Sequence, residues 1–448
     1  MNILNSILAI LIMFIPLYPK FPLFSVQNTY VAIRLDDIII ASSLLIWFIY
    51  QIKNKFPILK EKITWLFIAY FLAIFLSTLN AFLIFQTIPR NILFLHFFRR
   101  IEYMSLLFIV ISTIKKKVDL NIYYIFLLIT SFLVSLYGFG QKYFHLPVVS
   151  TMNSEFSKGQ LLEMNIWTRI SSTFAGHYDL AAYMTITLII IGGVFLICKN
   201  KALKYSSLIV WLLCFQILNL TASRISTFAF WGAMTLVIIL LKKYLWIIPF
   251  SALMVFSIFN SKDLNQRLLA TIPSFKLQYK TITAPKPTAI PTLIPTPSPV
   301  VIAKISGVPL NPTPTIIRHS VIEEFPTADV DVGVARSGEI RFNAEWPRAI
   351  NAFKRNPLLG SGLGSITLAT DNDFLRLLGE SGLLGFITFM IIPLFFIVKT
   401  IKKPSPLALI FLGCLVATLA NALFIDVLEA SKFAYTFWLI MGAYYVIL

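Results

Sequence analysis

Charge is scarce in this chain: Asp, Glu, Lys and Arg make up 13% of its 448 residues, and only 20 residues are acidic. Soluble domains carry roughly 25% charge, so a pair or trio of soluble domains is excluded. Cysteine is thin as well. Cys198, Cys214 and Cys414 lie inside apolar runs without the paired spacing of a zinc or redox motif, and read as small core residues. Of the four histidines, His177 has no second His or Cys beside it, which argues against a metal site there. The first apolar run has no basic residue before it and no A-x-A site after it, so it reads as an uncleaved first helix.

What is abundant is apolar: 58% hydrophobic residues, 40 Phe and a mean hydropathy of +0.81. Apolar runs of about 18–22 residues recur, the length a helix needs to cross a hydrocarbon core about 30 Å thick. This predicts an all-α polytopic membrane protein with one large external loop before its last three helices. Twelve helices are expected, near 3–18, 37–51, 63–84, 93–114, 122–140, 179–198, 205–221, 224–241, 244–260, 377–398, 405–424 and 432–448. Residues 1–260 then hold the first nine, 261–376 the loop and 377–448 the last three.

Lysine marks every second connection: Lys53 to Lys62, Lys115 to Lys117, Lys199 to Lys204, Lys242 with Lys243, and Lys399 to Lys403. Under the positive-inside rule these connections and both termini are cytoplasmic, and the long loop is external. The cytoplasmic connections hold 15 Lys and no Arg, so all 13 Arg fall on the external side or at outer helix ends. Topology needs only positive charge, whereas Arg adds a planar fork that grips phosphate with two hydrogen bonds. The bias points to an anionic, phosphorylated ligand outside; pairing of these arginines with the 18 external acids is the plainer alternative. The net charge of +18 is largely topological and calls for no nucleic acid.

The chemistry is expected in 336–385, which concentrates Arg, Asp, Glu and Gly. Before it, 271–315 is rich in Pro and Thr and reads as an extended tether. From Ser337 the pattern turns helical, with Ile340, Trp346, Ile350 and Phe353 on one face and Arg341, Glu345 and Arg348 on the other. That describes an amphipathic helix along the membrane surface, ending at Asn356 before Pro357. Gly360, Gly362 and Gly364 then alternate. They follow no strand and do not form G-x-G-x-x-G, so they favour positive φ and close approach to a substrate or a neighbouring helix. An apolar helix begins near Leu377. Asn372, Arg376 and Glu380 share one helix face, with Asp371 and Asp373 at its start, where the helix dipole favours acids; an Arg376 to Glu380 ion pair is the plainer role for those two.

Three other external features carry polar groups. His96, Arg99, Arg100 and Glu102 lie one to two turns inside the fourth helix if it starts near Leu93; if it starts at Arg100, the arginines merely reach the interface. The connection 137–183 ends with Arg169, His177 and Asp179 just above a helix. His177 and Asp179, two apart, do not face each other on a helix. The turn 221–226, TASRIS, is so short that Arg224 must sit at the membrane surface or fold into the protein.

Three of these pieces are R-I-S-S-T-F-A-G-H-Y-D-L-A-A-Y at 169–183, the T-x-S-R turn at 221–224, and W-P-R-A-I-N-A-F-K-R-N-P-L-L-G-S-G-L-G-S at 346–365. Together with D-N-D-F-L-R-L-L-G-E-S-G-L-L-G at 371–385, they resemble the O-antigen ligase and polymerase superfamily of membrane glycosyltransferases. The similarity extends over most of the chain, with one departure: the His that the family's ligases carry in the last segment aligns with Asp371. The resemblance implies transfer of a glycan from a polyprenyl-pyrophosphate carrier to a hydroxyl of a glycan, lipid or protein acceptor. The transfer is inverting, uses neither metal nor cofactor, and takes place on the outer face of the cytoplasmic membrane. Arg224, Arg169, Arg341 and Arg348 would stabilise the departing diphosphate. Asp371 would direct the acceptor's proton, with Asp373 in reserve. The substrate-binding set would include Arg99, Arg100, Asn372, Glu380, Gly362 and His177. A flippase for lipid-linked sugars would share an Arg-lined cavity. A transporter of this size commonly has two related halves, yet the expected helices split nine and three and show no internal repeat. A scaffold displaying the Pro/Thr stalk would gain nothing from Arg at membrane depth.

Overall fold

The computed structural model of the chain describes residues 3–25, 32–85, 88–115, 119–149, 161–162, 169–261, 264–265, 340–366 and 369–448. The expected Pro/Thr tether and the start of the amphipathic segment lie outside these residues.

Each expected apolar segment is helical: α1 (Ile3–Leu17), α2 (Leu35–Lys53), α3 (Lys62–Asn80), α4 (Arg90–Thr113), α5 (Leu120–Phe144), α6 (His177–Ile197), α7 (Lys201–Leu220), α8 (Arg224–Leu240) and α9 (Ile247–Asn260) come first. After the loop follow α10 (Trp346–Arg355), α11 (Asp373–Lys402), α12 (Pro406–Ala422) and α13 (Ser431–Ile447). Among the described residues, α2, α3, α5, α6, α7 and α11 are long and apolar enough to cross a membrane. The helices are joined by two short antiparallel hairpins that the sequence pattern does not announce: β1 (Pro22–Ser25) with β2 (Ala32–Arg34), and β3 (Val148–Val149) with β4 (Leu161–Leu162).

Burial follows the composition of each helix. α6 is apolar on every side and is buried along most of its length between α7, α8 and α12, as a helix without a polar face must be. α13 packs along α4, α1 along α5, and α11 along α3. The outer helices instead expose large apolar groups, among them Leu72 of α3, Phe48 of α2, Phe259 of α9 and Leu394 of α11. Apolar exposure on this scale needs a lipid-like surrounding, and the chain has the build of a multi-pass membrane protein.

Contacts at the helix ends sort the molecule into two poles. At one, Trp47 and Gln51 donate to Ser112 Oγ, and the Tyr445 hydroxyl donates to Glu61 at 2.7 Å. This pole carries the lysine-rich connections. At the other, Lys432 Nζ donates to the carbonyls of Pro16 (3.1 Å) and Thr173 (2.6 Å), tying α13 to the end of α1 and to the segment before α6. The N-termini of α6, α8, α11 and α13 lie at this second pole, where the partial positive charge of each helix start adds to the arginines.

The site is positioned by a break in α11. Gly382 has φ 64° and ψ −168°, so the helical ladder is interrupted about two and a half turns after it starts. Segment 357–362 fills the gap. Ser361 N and Gly362 N donate to the carbonyls of Gly379 and Glu380, both at 2.9 Å, while Leu383 N and Leu384 N donate to those of Pro357 (2.8 Å) and Leu358 (3.1 Å). Ser77 Oγ of α3 adds a second bond, at 2.8 Å, to the Glu380 carbonyl. A buried backbone group left unpaired costs about 1–3 kcal/mol. Four such groups would cost as much as a typical domain's whole net stability, so the break and the segment require each other.

Both partners are glycine for steric reasons. A Cβ on Gly382 would lie 2.4 Å from the Leu358 carbonyl oxygen, and one on Gly360 (φ +71°) would lie 2.5 Å from the Glu380 backbone. An L-residue at positive φ costs about 1–2 kcal/mol before any overlap is counted. Gly360→Ala and Gly382→Ala are therefore expected to lower the thermal midpoint of the detergent-solubilised protein by several degrees. Gly232→Ala, with open space around its Cβ position, should leave the midpoint unchanged or slightly raised.

Candidate active site

Arg224 is the first residue of α8, and the turn before it is locked by its own side chains. Thr221 Oγ1 donates to the Leu218 carbonyl at 2.6 Å, Ser223 Oγ to Ser226 Oγ at 3.1 Å, and Ser226 Oγ to Asn421 Oδ1 of α12 at 2.8 Å. Ala222 takes φ 49°, which closes the turn in three residues. The guanidinium is folded in against protein and half-buried, and the charges of Arg341 and Arg169 act on it. Three arginines from separate parts of the chain thus share one electrostatic neighbourhood.

Arg169 Nη1 lies 2.6 Å from His177 Nε2 at the start of α6, and its guanidinium sits 5.9 Å from the Tyr178 ring centre. Arginine only donates, so Nε2 accepts, and a neutral His177 carries its proton on Nδ1. Arg341 binds Asp371 Oδ2 through Nε (2.8 Å) and Nη2 (2.7 Å). Asp371 itself has φ 50°, a left-handed conformation that Asp tolerates better than most residues. Burial raises the pKa of its carboxyl, with Arg341 opposing the shift.

Beneath this layer Asp426, in the connection between α12 and α13, acts as a hub. It accepts from Thr370 N (2.7 Å), Asn372 N (3.1 Å) and Arg376 Nη1 (3.3 Å). Arg376 also donates from Nη2 to the Ile366 carbonyl at 2.8 Å and lies 3.8 Å from Glu380. Asp373 Oδ2 accepts from Leu428 N at 3.0 Å, and Arg100 pairs with Glu429. None of Asp426, Glu429 or Lys432 is in the set expected from sequence. The available signal was D-x-x-E-x-x-K at 426–432, three charges between two apolar helices, where charge is costly and rarely idle.

The structure separates the expected site residues. It brings Arg169, His177, Arg224, Arg341 and Asp371 together. Asn372 instead caps α11, its Oδ1 accepting from Leu375 N at 2.9 Å. Gly362 approaches a neighbouring helix, since a Cβ there would lie 2.3 Å from that of Ala81. Asp373 and Glu380 are interior, only 6% and 3% exposed. α4 starts at Arg90, so Arg99 and Arg100 do lie inside it. Being adjacent, they diverge around the helix: Arg100 meets Glu429, while Arg99 shares the field of Asp37, Glu102, Tyr103 and Tyr435.

Two boundaries also differ from expectation. α11 begins at Asp373, four residues before Leu377, because Asn372 supplies the cap. The amphipathic segment is a π-turn at Arg341–Glu345 followed by α10, and within α10 the buried residue is Ala349 while Ile350 stays exposed. The large apolar stripe is displaced because α10 lies against Gly379 of α11, whose Cβ position is 2.8 Å from the Ala349 carbonyl oxygen. The π-turn puts Glu345 beside Arg341 and Asp371. Its Oε2 is buried without a hydrogen-bond partner among the described residues, and burial together with the charge of Asp371 raises its pKa to about 7.

Among the described residues no group of three or more His, Cys, Asp or Glu is placed to share a metal ion. No protein-family model matches the chain, and no curated protein matches it in sequence.

Removing one member of a buried charge pair costs about 3–5 kcal/mol, because the other charge is left uncompensated. Asp426→Ala is therefore expected to lower the thermal midpoint sharply, and adding Arg376→Met should recover part of the loss. If the double variant melts no higher than the single one, Asp426 does not act through Arg376.

Proposed function

We propose that the protein is a membrane glycosyltransferase of the O-antigen ligase and polymerase type. It moves a glycan from a polyprenyl-pyrophosphate carrier to an acceptor hydroxyl. The arginine-bearing pole faces the outside of the cytoplasmic membrane, and both termini lie inside. The observation that carries this reading is the gathering of Arg169, Arg224 and Arg341 from three separate elements at one pole. Asp371 already joins Arg341, yet three like charges set close together in a sparsely charged protein favour a further anion, and a diphosphate is the anion that guanidinium forks fit best.

The chemistry follows from that placement. The acceptor oxygen attacks the anomeric carbon as the bond from that carbon to the diphosphate oxygen breaks. The bonding electrons leave with the diphosphate, whose growing charge the arginines stabilise. A single displacement inverts the anomeric centre. The acceptor's proton needs a base with a pKa near the working pH. Asp371, the position aligned with the family's His, has its Oδ2 committed to Arg341 and serves best by holding that guanidinium. Glu345, with a buried unpartnered oxygen and a pKa of about 7, is the better proton acceptor.

Purified protein in liposomes with a lipid-linked glycan on the arginine side separates joining sugars from moving them. A lengthened or transferred glycan is expected; translocation with no new glycosidic bond would make the protein a flippase. Arg224→Ala should lower the transfer rate by about 10²–10³-fold, the usual loss for one preorganised charge-stabilising donor, without changing insertion or abundance. Glu345 works as a base only when ionised. The rate should therefore rise with pH through about 7 and level off above it; Glu345→Gln should abolish that rise, and a preserved rise would assign the proton to another group.

A further inference from the structure

A cavity lined by its own set of residues lies beside the arginine cluster. It occupies about 570 Å³ between α10, the start of α4 and the glycine-rich segment, a volume in the range of small-molecule sites. Its polar lining is Asn343, Arg348, Asn351, Arg355, Ser361 and Ser365, with Pro89 and Ile92 as an apolar wall. Among the described residues no carboxylate lines it. Ser361 Oγ is committed to the Ala352 carbonyl at 2.8 Å, but Arg348 Nη1 and Ser365 Oγ are buried with no hydrogen-bond partner among the described residues. A buried guanidinium nitrogen without an acceptor is costly, so these groups await a ligand that accepts hydrogen bonds. Arg341 and Arg169 act on Arg224, whereas Arg348 lines this cavity and acts on Glu345.

We propose that this cavity binds an anionic sugar unit of the acceptor glycan, its acidic group held by Arg348 and Arg355 and its hydroxyls by the Asn and Ser side chains. The charge of Glu345 reaches Arg348, yet the two guanidinium groups on the lining outnumber that single acid and select a negative charge. Amides and hydroxyls suit a polyol, and the Pro89 and Ile92 wall suits the C–H face of a sugar ring. The inference rests on the transferase reading and adds a substrate class to it: acceptors that carry a carboxylate or a phosphate.

The test is calorimetric titration of the full-length protein in nanodiscs with tetraglucuronate, neutral tetraglucose and inorganic phosphate, run beside the liposome transfer assay. Tetraglucuronate should bind at least about tenfold more tightly than tetraglucose, a difference near 1.4 kcal/mol. Arg348→Gln and Arg355→Gln should each remove most of that advantage, Arg348→Lys should restore part of it, and Arg224→Ala should leave it within about twofold. Equal affinity for the acidic and neutral sugars would overturn the proposal. So would an Arg224→Ala loss as large as that of Arg348→Gln, or phosphate displacing tetraglucuronate at equal concentration, which would mark a plain anion site. Transfer to neutral acceptors without binding discrimination would overturn the cavity's role and leave the transferase intact. Discrimination at the cavity with no transfer by the unmodified protein would do the reverse.

Discussion

The arrangement depends on one backbone pairing, in which segment 357–362 supplies donors and acceptors to the broken turn of α11 at Gly382. An apolar surrounding offers no water to satisfy an interrupted helix, so the interruption survives only where other protein backbone completes it. That pairing brings the end of α10 against the start of α11 and closes the loop 340–372 onto the bundle. Arg341, Glu345 and Asp371 all belong to that loop. Loosening the pairing would release the groups on which any chemistry at this pole depends.

Around this anchor the charges fall into two layers with different tasks. The lower layer is internally paired: Asp426, Arg376, Glu380, Asp373, Arg100 and Glu429 form ion pairs with one another or hydrogen bonds to nearby backbone groups. Such a network fixes the start of α11 and the connection between α12 and α13 as one body. The upper layer sets three arginines in one neighbourhood beside a Glu345 carboxylate oxygen that has no hydrogen-bond partner among the described residues. Rigid support beneath unsatisfied groups is how a binding site is held ready.

Much of the helical framework was legible because apolar length and lysine-bearing connections are one-dimensional signals. Arg224 was legible for the same reason: a turn as short as TASRIS leaves it few places to go. Asn372, Gly362 and Glu380 left their roles open, because a polar or flexible residue near a site has the same letter whether it meets a substrate, caps a helix or packs on a neighbour; the plainer alternatives, an Arg376 to Glu380 ion pair and a close helix approach at Gly362, are present in the structure. Asp426 and Glu429 escaped notice because their partners, Thr370, Asn372, Arg376 and Arg100, are 50 to 329 positions away.

Periodicity and hydropathy by themselves determined the helices, their apolar character and the concentration of arginine away from the lysine-bearing connections, since each follows from neighbours a few residues apart. Tertiary structure alone decided where α11 breaks, that Arg99 and Arg100 serve different partners, and which arginines share a neighbourhood. The physical reason is that hydrogen-bond completion and Coulomb interaction act through space: Glu380 and Gly362 are 18 positions apart yet 2.9 Å from carbonyl oxygen to amide nitrogen, and no local pattern encodes that meeting.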